Sequence, residues 1–239
     1  MIAAPVQYPR TGLLLAFAFD KAVGATLRSW PWVVAIVGAG IAGAFAGLTQ
    51  AIVNLGLLAW AFVAAANAMR TIRPEYRMDG GTGARMFLTA FATGIIFILG
   101  FLALIWPGIY LATKLSVAQA AAVMDGLPAE LAMRRSWEMT RERFWPFLGF
   151  FVVLTIASTA TTVIPSFLLG GFAGALVTLH VLPVSMETAT GIATGLASVA
   201  YMYAVQAEWI AGMHWYRALK AMQEAELAQS ALAQTPATA

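Results

Sequence analysis

From Pro31 to Met69 the chain runs for 39 residues without a single Lys, Arg, Asp or Glu. A helix crosses the hydrocarbon layer of a bilayer in about 20 residues, so a run of this length has to fold back on itself. Thr49, Gln50 and Asn54 are the polar residues that interrupt it. They divide it into two expected spans, 32–48 and 53–69. Residues 86–113, 144–186 and 188–207 are equally free of charge. With 61% apolar residues, 10% charged ones and a mean hydropathy of +0.78, the composition lies outside the range of soluble domains. The expected fold class is therefore all-α, a polytopic transmembrane helix bundle.

Further breakers set the remaining spans. Trp106-Pro107-Gly108 joins a residue that cannot continue a helix to the most flexible one, which gives spans 86–106 and 108–124. Pro146 and Pro165 bound a fifth span, 147–164, and a sixth covers 191–213. Residues 166–182 read as an interfacial or re-entrant segment on the outer side, the alternative being a further crossing that would put the C-terminus outside. The basic residues test this count, because cytoplasmic ends of spans carry the excess of Lys and Arg. Arg10, Lys21 and Arg28 precede the first span, and Arg70, Arg73, Arg77 and Arg85 follow the second. Arg134, Arg135, Arg141 and Arg143 follow the fourth, and Arg217 and Lys220 the sixth. Six crossings place every cluster on one side and both termini in the cytoplasm.

Two segments read as amphipathic helices on the inner surface. In 12–30, Leu15, Phe19, Val23 and Leu27 form a stripe opposite Asp20, Lys21, Gly24 and Arg28. In 128–144, Ala132, Ser136, Trp137 and Thr140 share a face opposite Glu130, Arg134, Glu138 and Arg141. The expected organisation is an N-terminal segment, 1–30, a bundle, 31–222, and a flexible tail, 223–239.

Chemistry is sparse. The chain has no Cys and two His, which removes thiolate nucleophiles, disulfides and most metal sites. Gly38-Ala39-Gly40-Ile41-Ala42-Gly43 matches the dinucleotide-binding pattern, but no acidic residue occurs between Asp20 and Glu75 to hold a ribose. Such glycines also let membrane helices approach closely, so Gly40, Gly43 and Gly47 are expected to pack helices, and no cofactor is expected. Ionisable groups within spans are costly and mark sites by default. Lys114 and Glu208 qualify, and with Gln119 they form the candidate intramembrane polar site, set against a purely structural role. Arg134, Arg135, Arg141 and Arg143, with Trp137, form a candidate surface for anionic lipids or a partner.

Pro107-Gly108-Ile109-Tyr110-Leu111, Lys114-Leu115-Ser116, Met124-Asp125-Gly126-Leu127-Pro128 and the run from Arg135 to Trp145 (RSWEMTRERFW) together resemble the glycerophosphoryl diester phosphodiesterase membrane domain family. These are bacterial polytopic proteins, some carrying a phosphodiesterase barrel. The resemblance is strongest over residues 100–150. It departs from the family pattern at Lys114, where relatives often carry Arg, and at Leu127, where a capping Ser is usual. It implies a membrane module of the bacterial cytoplasmic membrane without the catalytic barrel. The expected function is non-catalytic: lipid organisation, or service as an accessory subunit of a membrane complex. The alternative is a transporter or flippase for a small or lipidic substrate. Expected partners are membrane lipids, a membrane protein or a second copy of the chain, and not nucleic acid.

Overall fold

A computed structural model describes residues 10–45, 47–141, 143–181 and 183–234. Over them the chain is all-α, with nine helices and no strand among the described residues. In chain order these are α1 (Thr11–Arg28), α2 (Trp30–Ala44), α3 (Thr49–Ile72), α4 (Gly80–Ala103), α5 (Ile105–Leu115), α6 (Ala118–Met124), α7 (Ala129–Arg141), α8 (Phe144–Thr178) and α9 (Met186–Gln234). Three of them, α3, α4 and α8, are long and apolar enough to cross a membrane. The α1–α2 pair, bent by 76°, makes a fourth if it is one broken span.

The expected spans are redrawn accordingly. Span 32–48 becomes α2, whose 15 residues fall short of a crossing unaided. Its sharp angle to α1 comes at Ser29, with Pro31 in the first turn of α2, where the missing N–H costs nothing. Span 86–106 ends early, because the chain breaks at Leu104, in extended conformation, while Pro107 sits in the first turn of α5. Span 108–124 is two short helices separated at Ser116 and Val117. Pro165 does not end the fifth span but lies inside α8, so most of 166–182 is continuous helix rather than a separate segment. Around it the hydroxyls of Thr161, Thr162 and Ser166 donate to carbonyls one turn back. Pro165 itself removes the donor to the Thr161 carbonyl, and none of these three hydroxyls donates to it. The expected tail is helical as far as Gln234, and residues 235–239 lie outside the described part.

The chain divides into two compact units that cut across the expected segments. One unit draws on 10–14, 78–151 and 211–234. There α4 packs on α5, α6 and α7. Asp79 caps α4 by accepting a 2.7 Å bond from the Thr82 N–H, and the bonds from Thr82 hold its carboxyl below the usual range. The α4–α5 turn is tight because Gly108 faces Phe101: a Cβ there would meet the ring at 2.6 Å. Phe147, Phe150 and Trp215 pack as an aromatic core, with Phe150 and Trp215 stacked at 4.4 Å.

The other unit is Leu15–Arg77 with Val152–Ile210. Its part of α1 buries Leu15, Ala18, Ala22 and Ala25 and exposes Val23 and Leu27. The buried face is thus mainly the row of alanines, which permits close helix approach, with Leu15 of the expected apolar stripe beside them, while Val23 and Leu27 of that stripe stay on the outer face. Asn67 donates to Ser29 Oγ and Gln206 Oε1, and Gln206 donates to the Ala64 carbonyl. Trp60 Nε1 reaches the Met202 carbonyl at 2.8 Å. Such interhelical bonds tie together helices whose outer faces gain nothing from burial.

Candidate functional site

Lys114, the lysine expected inside a span, is 2% exposed at the end of α5. Its Nζ donates to the Thr140 carbonyl at 2.9 Å and to the Arg141 carbonyl at 3.4 Å. These carbonyls belong to the last turn of α7, where the helix itself provides no donors and a cation is favoured. The ammonium also lies 5.5–5.7 Å from the ring centres of Tyr110, Phe144 and Trp137, within cation–π range. In return, the Lys114 carbonyl accepts from Ser136 Oγ and Thr140 Oγ1, which supports the end of α5 where the helix breaks. Tyr110 comes from the segment Pro107–Leu111, and Ser136, Trp137, Thr140 and Phe144 from the run Arg135–Trp145. Their meeting point is a helix cap.

The other members of the expected intramembrane site are Gln119 and Glu208. Gln119 is half-buried on α6, in the same unit as Lys114. Glu208 belongs to the other unit, half-buried on α9, within electrostatic reach of Ser158 and Tyr201. Lys114 is committed to backbone carbonyls of its own unit.

The arginine surface is partly spent in the same way. Arg134 pairs with Glu138 one turn along α7 at 3.2 Å, both exposed. Arg143 pairs with Glu226 of α9. Arg135 lies close enough to Tyr216 and Asp125 to act on both. Arg141 and Trp137 are exposed. Asp125, in the turn after α6, accepts from Tyr216 Oη at 2.5 Å and Lys220 Nζ at 2.8 Å. Burial would raise its carboxyl pKa, but the bonds from Lys220 and Tyr216 outweigh it and hold the group below the usual range. Burial and the same bond push the Tyr216 phenol up. The next residue, Gly126, takes a positive φ of 66° and its carbonyl accepts from Arg85 at 2.8 Å. A basic cluster in sequence is therefore, in the fold, largely a set of ties within one unit.

Of the three glycines expected to pack helices, two lie at a close contact. A Cβ on Gly40 would meet Val53 at 2.8 Å and the Gly195 backbone at 3.4 Å, and one on Gly43 would meet Ile52 at 2.8 Å. Their partners on α9, Gly191 and Gly195, approach Ala44 and Ile41 as tightly. Gly47 is the correction: it lies beyond the end of α2 with φ 67°, and serves the turn into α3 rather than a helix face. The dinucleotide pattern is thus read by helix packing, with Gly38 having nothing within 4 Å of a Cβ.

The feature missing from the sequence reading is a cleft of about 420 Å³ among α3, α8 and α9, wholly within the second unit. Gln50 and Asn54 face it from α3, Thr162 and Ser166 from α8, and Thr190, Thr194, Ser198 and Tyr201 from α9. Among the described residues that line it, none carries a formal charge at neutral pH. The surrounding helices turn large apolar side chains outward, among them Leu55, Leu58, Ile156, Val163 and Phe167. The spacing 190, 194, 198, 201 repeats one helical face, and this was the signal that could have found it.

Compared with known protein families, characterised proteins and solved structures, the chain has no match.

Proposed function

We propose that this chain is a non-catalytic multi-pass protein of the bacterial cytoplasmic membrane that binds and organises lipid. The observation that carries the reading is the polar cleft of the second unit, set between helices whose outer faces are apolar. A bilayer lipid has this same division, a hydrogen-bonding head group on apolar chains. The cleft's Ser and Thr hydroxyls donate to carbonyls of their own helices. That is the arrangement of binding groups, whereas a nucleophile needs a base to take its proton. The resemblance of residues 100–150 to the phosphodiesterase membrane domain family supports the same reading, a membrane module without the barrel.

The proposed topology has six crossings: α1 with α2 as one broken span, α3, α4, α5 with α6, α8 and α9, both termini cytoplasmic. The one-sided basic clusters support it. Because the chain has no Cys, single cysteines can be placed without removing any. Cysteines at Arg77 and Glu130 should react with an impermeant maleimide only after the membrane is opened. One at Val181 should react in intact spheroplasts.

The test of function is native mass spectrometry of the protein in native-membrane nanodiscs. Retained lipid on a protein without other subunits supports the proposal. A stoichiometric protein partner and no retained lipid would replace it with the accessory-subunit reading. One observation favours the second reading, a transporter or flippase: Glu208 lies two helical turns beyond Tyr201 on the same face of α9, within electrostatic reach of it. Loss of lipid flipping in Glu208→Gln, with lipid binding intact, would favour that reading.

A further inference from the structure

The cleft hydroxyls have one property that their number conceals. Thr162, Ser166, Thr190, Thr194 and Ser198 each spend their single O–H on a carbonyl of their own helix, at 2.6–3.1 Å. A hydroxyl has one donor and two acceptor lone pairs, so each oxygen keeps its capacity to accept. Gln50 Nε2 donates to Asn54 Oδ1 at 2.9 Å, which uses one more donor and leaves Gln50 Oε1 as an acceptor. What the cleft offers is therefore weighted toward acceptors, with the Asn54 amide, the second Gln50 N–H and the Tyr201 phenol as its donors.

This bias discriminates among ligands. A phosphate or carboxylate brings only acceptors and a negative charge, and meets neither a cation nor a wall of donors. A cation would be stripped of water without a carboxylate among the lining residues to receive it. A hydroxyl-rich uncharged group brings the donors that the walls lack, and its own oxygens can accept from Asn54 and Tyr201. The volume of about 420 Å³ falls in the range of small-molecule clefts, roughly 300–1,000 Å³. We infer that the cleft binds an uncharged polyol, a glycerol or sugar group, as found at the head of a diacylglycerol or a glycosyl diacylglycerol. The inference rests on the lipid-binding reading above and sharpens its ligand class.

The test uses the full-length protein in nanodiscs of phosphatidylcholine, which carries no polyol head, doped in turn with equal fractions of dioleoylglycerol, glucosyl-dioleoylglycerol, phosphatidylethanolamine and phosphatidic acid. Lipid retained on the protein is counted by native mass spectrometry. Expected is at least a 10-fold preference for the two uncharged lipids. Thr194→Val with Ser166→Ala, which removes two acceptors at nearly constant volume, should abolish the preference, and Thr194→Ser with Ser166→Thr should keep it. Circular dichroism and the thermal midpoint verify that each variant is folded. If free glycerol or glucose competes as well as the lipid at equal concentration, the polyol chemistry stands and its source is soluble. If phosphatidylethanolamine or phosphatidic acid is retained instead, and the cleft variants release it, the polyol inference is overturned while lipid binding survives. Retention indifferent to the cleft variants overturns the inference as well. If no lipid and no free polyol is retained, the lipid-binding reading falls, and this inference with it.

Discussion

Lys114 and the α3–α8–α9 cleft use polar groups in opposite ways. At Lys114 a full charge is enclosed, and backbone carbonyls and three aromatic rings surround it. In the cleft every lining side chain is neutral, several are open to the outside, and each hydroxyl holds acceptor capacity in reserve. Burial and charge drew attention to the lysine, because an ionised group inside a span is costly. Satisfaction of bonding capacity separates the two places better: a group whose partners are all within the fold supports the fold, and a group with capacity left can receive something else.

The largest expected effect would break this comparison if it failed to appear. Lys114→Ala leaves the Thr140 and Arg141 carbonyls without their donor, at a cost of about 1–3 kcal/mol for each buried unsatisfied group. We expect a loss of about 3 kcal/mol in denaturant unfolding followed by tryptophan emission. Thr194→Val in the cleft should change stability by less than about 1 kcal/mol, since it removes only a bond within one helix. Similar losses for the two would erase the distinction.

Glycines give the next contrast, with opposite signs. Gly191→Ala would place a Cβ 2.7 Å from that of Ala44 and 3.2 Å from its Cα, so destabilisation of about 1–2 kcal/mol is expected from overpacking. Gly212→Ala, also in α9, meets nothing within 4 Å and should stabilise by about 0.5–1 kcal/mol through lower chain entropy. Thermal midpoints of the two variants, measured side by side, check the signs.

Acid titration concerns Asp125. Its folded pKa is depressed by Lys220 and Tyr216, so its contribution is fully present above the ordinary carboxylate value of about 4. It is lost as pH falls from there through the folded value. Asp125→Asn should flatten the part of the stability curve below about pH 4, and an unchanged curve would remove Asp125 as its cause. The smallest effect is expected for Arg134→Ala, because an exposed pair one helical turn apart is worth about 0.3–0.5 kcal/mol. A larger loss would mean that Arg134 has a partner beyond this chain.

What could be read from the sequence follows from how local each signal is. The all-helical class, the amphipathic α7 and the glycine contacts at Gly40 and Gly43 depend on composition and on spacing along one helix. Pro165 misled because a proline removes one backbone bond and can bend a helix without ending it, and α8 runs through it to Thr178. Leu104 carried no signal, as a leucine in extended conformation is no different in sequence from one in a helix. Lys114 was marked as costly, yet its carbonyl partners lie 26 and 27 residues further on, a distance that no periodicity spans. Thr and Ser are common in membrane helices, and only the juxtaposition of three of them turns those residues into a cleft.

That separation of 26 residues also has a consequence in time. A ribosome adds about 5–20 residues per second, so Thr140 is made roughly 1–5 s after Lys114. Through that interval the carbonyls of α7 that cap the Lys114 ammonium do not yet exist. Closure of the end of α5 is thereby tied to the synthesis of α7, and the order of translation becomes a step in assembly.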